Sequence, residues 1–207
     1  MATEPKDYTQ DEDVRLMLAV KAGDAAAFEQ LVSRHQERIL STLIHFTDSL
    51  QQAEELTQEV FLKVYEARLR YEPTAKFTTW LYRIVRNEGL NAVRHKKRHP
   101  ERYLNASSPA DEDGANAEEN LLAKSGFMPA RQYDEKEQRE MVRLALKSLD
   151  PRQREAILYQ HVEEMDYSQI AQVMELTVPA VKSLLYRARR RLAEILAPYM
   201  SEGRRPQ

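Results

Sequence analysis

Two basic runs carry most of what this chain could do to another molecule. From Thr78 to Arg98 the sequence reads TTWLYRIVRNEGLNAVRHKKR, opening apolar and aromatic and closing almost purely basic. Arg83, Arg86, Arg94, Lys96, Lys97 and Arg98 are opposed there only by Glu88. That is too lopsided for a helix laced with its own salt bridges, and phosphate is the partner it fits. The second run, VPAVKSLLYRARRRL from Val178, places Val181, Leu184, Leu185, Ala188 and Leu192 on one helical stripe. Lys182, Ser183, Tyr186, Arg187 and Arg190 are left outward, and cations interleaved with a serine and a tyrosine offer donors to both phosphates and base edges. A third run is acidic: AEELTQEVFLKVYEARLR from Ala53 repeats Ala53, Leu56, Val60, Val64 and Ala67 on one face, so Glu55, Gln58, Glu59 and Lys63 point elsewhere.

Side chains for covalent or metal chemistry are scarce. The chain has no cysteine, which removes disulfides, thiolate zinc sites and cysteine nucleophiles together. Of the five histidines, only His95 and His99 lie close in sequence, in the basic run and without a carboxylate or third ligand nearby. No phosphate-cradling glycine loop, Ser/His/Asp motif or H-E-x-x-H spacing occurs. The adjacent Glu163 and Glu164 precede a helix cap and are assigned to a solvated face. The reading is non-enzymatic, with no cofactor and no metal.

The 207 residues leave room for one domain or two small ones, and 42% hydrophobic content supplies real cores. With 31 Lys and Arg against 33 Asp and Glu the net charge is −2, so binding to nucleic acid must come from segregated charge and not from a global field. The N-terminus lacks a basic-then-apolar signal pattern, and no run of about 18 apolar residues occurs. A cytoplasmic protein without membrane insertion is expected.

The elements that position these runs read as helices. Residues 1–10 look frayed; a helix begins near Asp11 with Val14, Leu16, Met17 and Val20 as its apolar positions, and Gly23 stops it. Asp24 caps the next, whose broad apolar face is Phe28, Leu31, Val32, His35, Ile39, Leu43 and Phe46. Asp48 and Ser49 lead into the acidic helix, Glu72-Pro73 breaks it, and Trp80, Leu81, Ile84, Val85 and Val93 bury one side of the basic helix. From 99 to 136 the pattern dissolves into linker composition, with a weak helix over Ala117–Lys124 and one apolar island at Phe127-Met128. Helical periodicity then resumes with Met141, Val142, Leu144, Ala145 and Leu149. Asp150, Pro151 and Gln153 suit a helix start, Asp166 to Gln169 repeats the capping-box spacing, and Thr177 can cap the last helix. Two short helices over Asp166–Glu175 and Val178–Leu196, joined by a turn of about three residues, have the dimensions of a helix-turn-helix. The expectation is an all-α chain of two small helical domains, 11–98 and 137–200, joined by a flexible linker over 99–136.

The order E-E-L-T-Q-E-V-F, F-T-T-W-L-Y-R-I-V-R-N, R-H-K-K-R resembles region 2 of bacterial sigma factors of the extracytoplasmic-function, or group 4, type. LDPRQREAIL and YSQIAQVMELTVPAVKSLLYRARRRL resemble sigma region 4. The resemblance covers about 80% of the chain by the spans of these two regions. It implies that Glu54, Glu55, Gln58 and Glu59 dock on the clamp of the largest subunit of core RNA polymerase, and that region 4 meets the flap of the second. It also implies that Tyr71, Lys76, Arg83, Arg86, Asn87, Arg94, Lys97 and Arg98 hold the promoter −10 strand, with Tyr71 stacking on an unstacked base. Lys182, Ser183, Tyr186, Arg187 and Arg190 would bind the −35 element, Arg190 at phosphate, and an anti-sigma factor is a usual partner. The chain departs from the family pattern at Pro179-Ala180, where Gly-Thr is common, and at Asn91, where an acidic residue is frequent. Trp80-Leu81 replaces the tryptophan pair of housekeeping sigma factors. The alternative function is a LuxR-type regulator acting without core polymerase, since LuxR output domains share the four-helix plan and the I-A…V-K signature; a second rival is a helical adaptor with no DNA role.

Overall fold

The computed structural model describes residues 7–47, 49–99 and 135–202, except for the side chains of 135–140 and 198–202. The helices fall into two compact units, residues 1–114 and 115–207. The first holds α1 (Glu12–Lys21), α2 (Ala25–Thr47), α3 (Leu50–Ala67), a 3-10 turn (Arg68–Arg70) and α4 (Phe77–Arg98). The second holds α5 (Glu135–Lys147), α6 (Pro151–His161), α7 (Tyr167–Met174) and α8 (Val178–Glu202). No strand occurs among the described residues, and none of their helices is long and apolar enough to cross a membrane. The expected linker, its weak helix and the Phe127-Met128 island lie outside the described residues, apart from the linker's ends. Helix α5, Glu135–Lys147, includes the expected domain boundary at 137.

Helix ends follow local hydrogen bonding. Asp11 Oδ1 accepts from the amides of Asp13 (3.0 Å) and Val14 (3.3 Å). Asp24 accepts from Ala26 (2.9 Å) and Ala27 (3.2 Å), and Ser49 caps α3. Each satisfies an amide that the first helical turn leaves without a partner. Gly23, at φ 101°, takes the chain from α1 into α2 through backbone that L residues avoid. In the second unit Asp150 accepts from the Arg152 amide at 3.0 Å, with Pro151 at the first helical position. Asp166 and Gln169 form a complete capping box, and the Thr177 hydroxyl accepts from the Ala180 amide at 3.4 Å.

In the first unit α2 packs against α1, α3 and α4. Its core includes Val14, Met17, Leu31, Ile39, Leu43, Val60, Phe77, Leu81 and Tyr82. Gly89 lets α4 approach α2 closely, since a Cβ there would meet Phe46 Cγ at 2.6 Å. Phe28, Val32 and Phe46 of α2, Trp80, Ile84 and Val93 of α4 and Leu184 of α8 are half-buried where the periodic reading places them in the core, and three further helices differ from it. Leu16 is only half-buried; in α3 Thr57 and Phe61 are buried while Leu56 and Ala67 are half-buried. In α5 Leu144 is 57% exposed, and the buried stripe is Val142, Ala145 and Leu146, continued by Leu149 just past the helix end. The rows Thr57, Val60, Phe61, Val64 and Val142, Ala145, Leu146, Leu149 follow i, i+3, i+4, i+7, the spacing that helix docking selects, whereas α1 buries Val14, Met17 and Val20.

Candidate nucleic-acid interface

The acidic surface lies on α3. Glu54, Glu55, Gln58 and Glu59 are all exposed, and at 100° per residue they span about 140° of the helix, opposite the row Ala53, Thr57, Val60, Phe61 and Val64. The Gln51 side-chain amide donates to Glu55 Oε1 at 3.3 Å, and the Thr57 hydroxyl turns back to the Ala53 carbonyl at 2.7 Å. At Gln58 this face joins an open apolar groove between α2 and α3, lined by Phe28, Val32, Phe61, Leu62 and Tyr65. Leu62 is 59% exposed and Tyr65 40% exposed. The Phe28 ring bridges the two helices, 5.1 Å from Tyr65 and 6.4 Å from Phe61 between centroids. The sequence reading placed Phe28 and Val32 in the core and missed the groove. The signal was the excess of apolar residues over what one buried stripe of α3 can hold, Phe61, Leu62 and Tyr65 falling between the expected positions.

Along α4, Arg83, Asn87, Arg94, Lys97 and Arg98 are exposed and Arg86 is half-buried. These six fall within about 120° of the helix circumference, forming one ridge. Glu88, the only acid in this stretch, does not neutralise the ridge. It is 7% exposed and paired with Lys63 of α3 through an Oε2 to Nζ contact of 2.6 Å. The Lys96 ammonium donates to the Thr47 carbonyl of α2 at 3.3 Å, and Arg94 donates to Asn91 Oδ1 at 3.1 Å. The preceding loop, Glu72 to Lys76, exposes Glu72, Thr74 and Lys76.

Tyr71 is where the structure corrects the sequence reading. It is 2% exposed, and its ring meets Trp80 edge-on at 5.0 Å and Phe77 at 6.3 Å. Its hydroxyl is buried without a hydrogen-bond partner among the described residues, and burial, reinforced by Asp11 and Asp13, raises its pKa above the ordinary tyrosine value. An exposed platform for a base is therefore not what this ring forms; it anchors the loop from beneath. The half-buried Trp80 packs on both Tyr71 and Phe77, and His35 joins the cluster 5.5 Å from Phe77. The His35 Nε2 lies 2.9 Å from Asp13 Oδ2, and this contact, with Arg34 nearby, holds the Asp13 carboxyl below its usual range.

In the second unit α8 packs against α6 and α7 through Val181, Leu185, Ala188 and Leu192, all buried. Lys182, Ser183, Tyr186, Arg187 and Arg190 are exposed, Tyr186 at 67%. The first four line one shallow depression. Arg187 Nε donates to the Ser183 carbonyl at 3.3 Å, and Arg190 pairs with Glu194 at 3.1 Å. The three-residue turn from α7 to α8 is closed by Glu175 in left-handed backbone at φ 56° and by a Leu176 amide to Ala171 carbonyl bond of 2.9 Å. A polar cluster that the sequence reading missed braces this unit. Arg189 donates to Gln160 Oε1 at 2.6 Å, and Arg189 and Gln160 lower the Tyr167 pKa by hydrogen bonding. The Lys182 ammonium sits 5.8 Å from the Tyr167 ring centroid. Burial, with Arg189 adding to it, lowers the His161 pKa. The Glu163-Glu164 pair splits: Glu163 is 8% exposed and not on a solvated face, while Glu164 is exposed in left-handed backbone at φ 52°.

These are features of a helical, DNA-binding protein of two domains, a bundle followed by a helix-turn-helix. Sigma-70 region 2 matches residues 31–99 and sigma-70 region 4 matches residues 139–192. The RNA polymerase sigma-H factor of Pseudomonas aeruginosa is 31% identical over 195 residues, 94% of this chain and 99% of that protein. The ECF RNA polymerase sigma factor SigW of Bacillus subtilis is 27% identical over 177 residues, 86% of this chain and 92% of that protein. CnrH, solved in complex with the cytosolic domain of CnrY, shares the fold at a TM-score of 0.64 and 23% identity, covering 90% of this chain and 97% of CnrH. RpoE, solved with the anti-sigma factor NepR from Bartonella quintana, superposes at a TM-score of 0.58 and 24% identity, covering 82% and 96%. The chain belongs to the extracytoplasmic-function sigma factors of the sigma-70 family, and it is an alternative sigma factor directing transcription. A LuxR-type regulator is not favoured, because a free-standing helix-turn-helix would account for residues 139–192 but leave the region 2 match over 31–99 without a role.

Proposed function

We propose that this sigma factor docks on the clamp of the largest subunit of core RNA polymerase through Glu54, Glu55, Gln58 and Glu59. The adjoining apolar groove at Leu62 and Tyr65 adds area to the same surface. The α4 ridge and the exposed residues of the Glu72–Lys76 loop hold the −10 strand, with Tyr71 beneath them as an anchor. The α8 residues Lys182, Ser183, Tyr186 and Arg187 read the −35 element, Arg190 contacts its backbone, and region 4 meets the flap of the second subunit. The observation that carries this reading is the separation of charge on consecutive helices. Glu88 is drawn inward to Lys63, so α3 presents an acidic face and α4 a basic one. The protein works by binding, without a chemical step or a cofactor, in the cytoplasm. CnrH and RpoE are solved with CnrY and the anti-sigma factor NepR, and an inhibitory partner of that kind is proposed here.

Run-off transcription with core polymerase plus the protein, with start sites mapped across a genome, tests the assignment. Start sites sharing a two-part −35 and −10 element are expected. DNA binding at shared sites without any start by added core enzyme would refute it.

A further inference from the structure

The Lys21 ammonium, in the last turn of α1, donates to the backbone carbonyl of Tyr71 at 2.8 Å. Tyr71 is the residue at which the 3-10 turn ends and extended backbone begins, at φ −65° and ψ 130°. Its amide bonds back to the Arg68 carbonyl at 3.3 Å, and its ring is held by Phe77 and Trp80. Lys21 therefore supplies the remaining anchor on this residue. With amide, ring and carbonyl all fixed, the peptide that launches the Glu72–Lys76 loop has one orientation. Pro73 and the 2.8 Å bond from the Thr74 amide to the Glu72 carbonyl carry that orientation forward to the exposed Thr74 and Lys76.

We propose that Lys21 is a positioning residue for −10 recognition: it touches no base, and it fixes the loop that does. The inference rests on the assignment of that loop to the −10 strand. A charged donor suits the task because hydrogen bonds to ionised groups are shorter and about twice as strong as neutral ones. A carbonyl so held does not drift between water and protein partners. The basic ridge of α4 supplies affinity for the strand, whereas the loop, set by α1 from the far end of the domain's sequence, supplies discrimination.

The test uses the full chain with core polymerase on promoters carrying single-base changes in either element. Lys21→Met keeps the aliphatic stem and removes the donor. It should lower the preference for the best −10 base by about three- to tenfold, the range expected for one charge-assisted hydrogen bond acting through a loop. Preference at −35 should stay as it was, Lys21→Arg should retain discrimination, and the amides of Glu72, Thr74, Ala75 and Lys76 should exchange faster in Lys21→Met. Unchanged −10 preference would overturn the proposal. So would a uniform loss on every promoter with a flatter salt dependence, which marks a direct phosphate contact. Thr74→Ala and Lys76→Ala separate this from the underlying assignment. If they change −10 preference and Lys21→Met does not, only the positioning role falls; if none of the three changes it, the loop assignment falls as well.

Discussion

The rotation of α8 makes a quantitative prediction about which cations read bases and which meet phosphate. At 1.5 Å per residue Lys182 lies about 6 Å and Arg190 about 18 Å along the axis from Val178. Both are exposed, Arg190 opposite the buried row of Val181, Leu185, Ala188 and Leu192 and Lys182 on its flank, about 90° from it. The DNA major groove is about 12 Å wide, so a helix entering by its N-terminal half has Lys182 over base edges and Arg190 beyond the groove, at the flanking backbone. Arg190 is held by Glu194 at 3.1 Å, but the two side chains are 70% and 50% exposed. An exposed pair of this kind is worth only about 0.3–0.5 kcal/mol and does not compete with a phosphate. Lys182→Ala should therefore cost about 1–3 kcal/mol on the preferred −35 sequence and relax discrimination at one position. Arg190→Ala should weaken all −35 sequences alike and flatten the plot of log affinity against log salt by about 0.9. Glu194→Ala should shift affinity slightly the other way. The assay is holoenzyme binding to single-base −35 variants at two salt concentrations. Equal, sequence-independent losses for Lys182→Ala and Arg190→Ala would refute the placement of this helix.

Four further outcomes can be checked. Glu55→Ala with Gln58→Ala should weaken binding to core polymerase in a direct titration while leaving the unfolding midpoint nearly in place, since exposed substitutions change stability by about 0.5 kcal/mol or less. Asp13 has a folded pKa below its ordinary 3.8, chiefly through its hydrogen bond with His35. Its stabilising contribution is thus present above that value and lost as pH falls through the lower folded value; denaturant unfolding between about pH 5 and pH 2 should show this for the native chain and less steeply for Asp13→Asn. Tyr71 has its pKa raised above the ordinary 10.0, chiefly by burial. The neutral form's stabilisation is complete below that value and lost as pH rises past it, so Tyr71→Phe should abolish part of the alkaline destabilisation and, by removing a buried unpartnered hydroxyl, cost nothing at neutral pH. Glu175→Gly should raise the thermal midpoint of the second unit, because a non-glycine residue in left-handed backbone costs about 1–2 kcal/mol.

What was legible in the sequence was whatever depends on neighbours three or four residues apart. The caps at Asp24, Ser49, Asp150, Asp166 and Thr177 each bond an amide within three residues, so chain order alone predicts them. The inward row of α8 repeats strictly enough that only one rotation buries it, and the exposure of Lys182, Ser183, Tyr186, Arg187 and Arg190 follows directly. The exposure of Glu55, Gln58 and Glu59 was legible in the same way, by exclusion from the apolar side of α3.

Tertiary structure decided what distant residues do to one another. Helix α3 has more apolar residues than one stripe can hold, and only its docking against α2 sets Thr57 and Phe61 inside and leaves Leu62 and Tyr65 at an open groove. The choice of Leu146 over Leu144 in α5 is of the same kind, since both fit a helical period and the neighbours select one. Tyr71 looked like a loop aromatic available to a base until Phe77 and Trp80, six and nine residues further along the chain, closed over it. Glu88 sits in the basic run as if to neutralise it, and Lys63, contributed by α3, takes it out of play. Arg189 reaches Gln160 across 29 residues and Lys21 reaches Tyr71 across 50. Such pairs leave no periodic trace, because the distance between them is fixed by how the helices pack and not by the helix repeat.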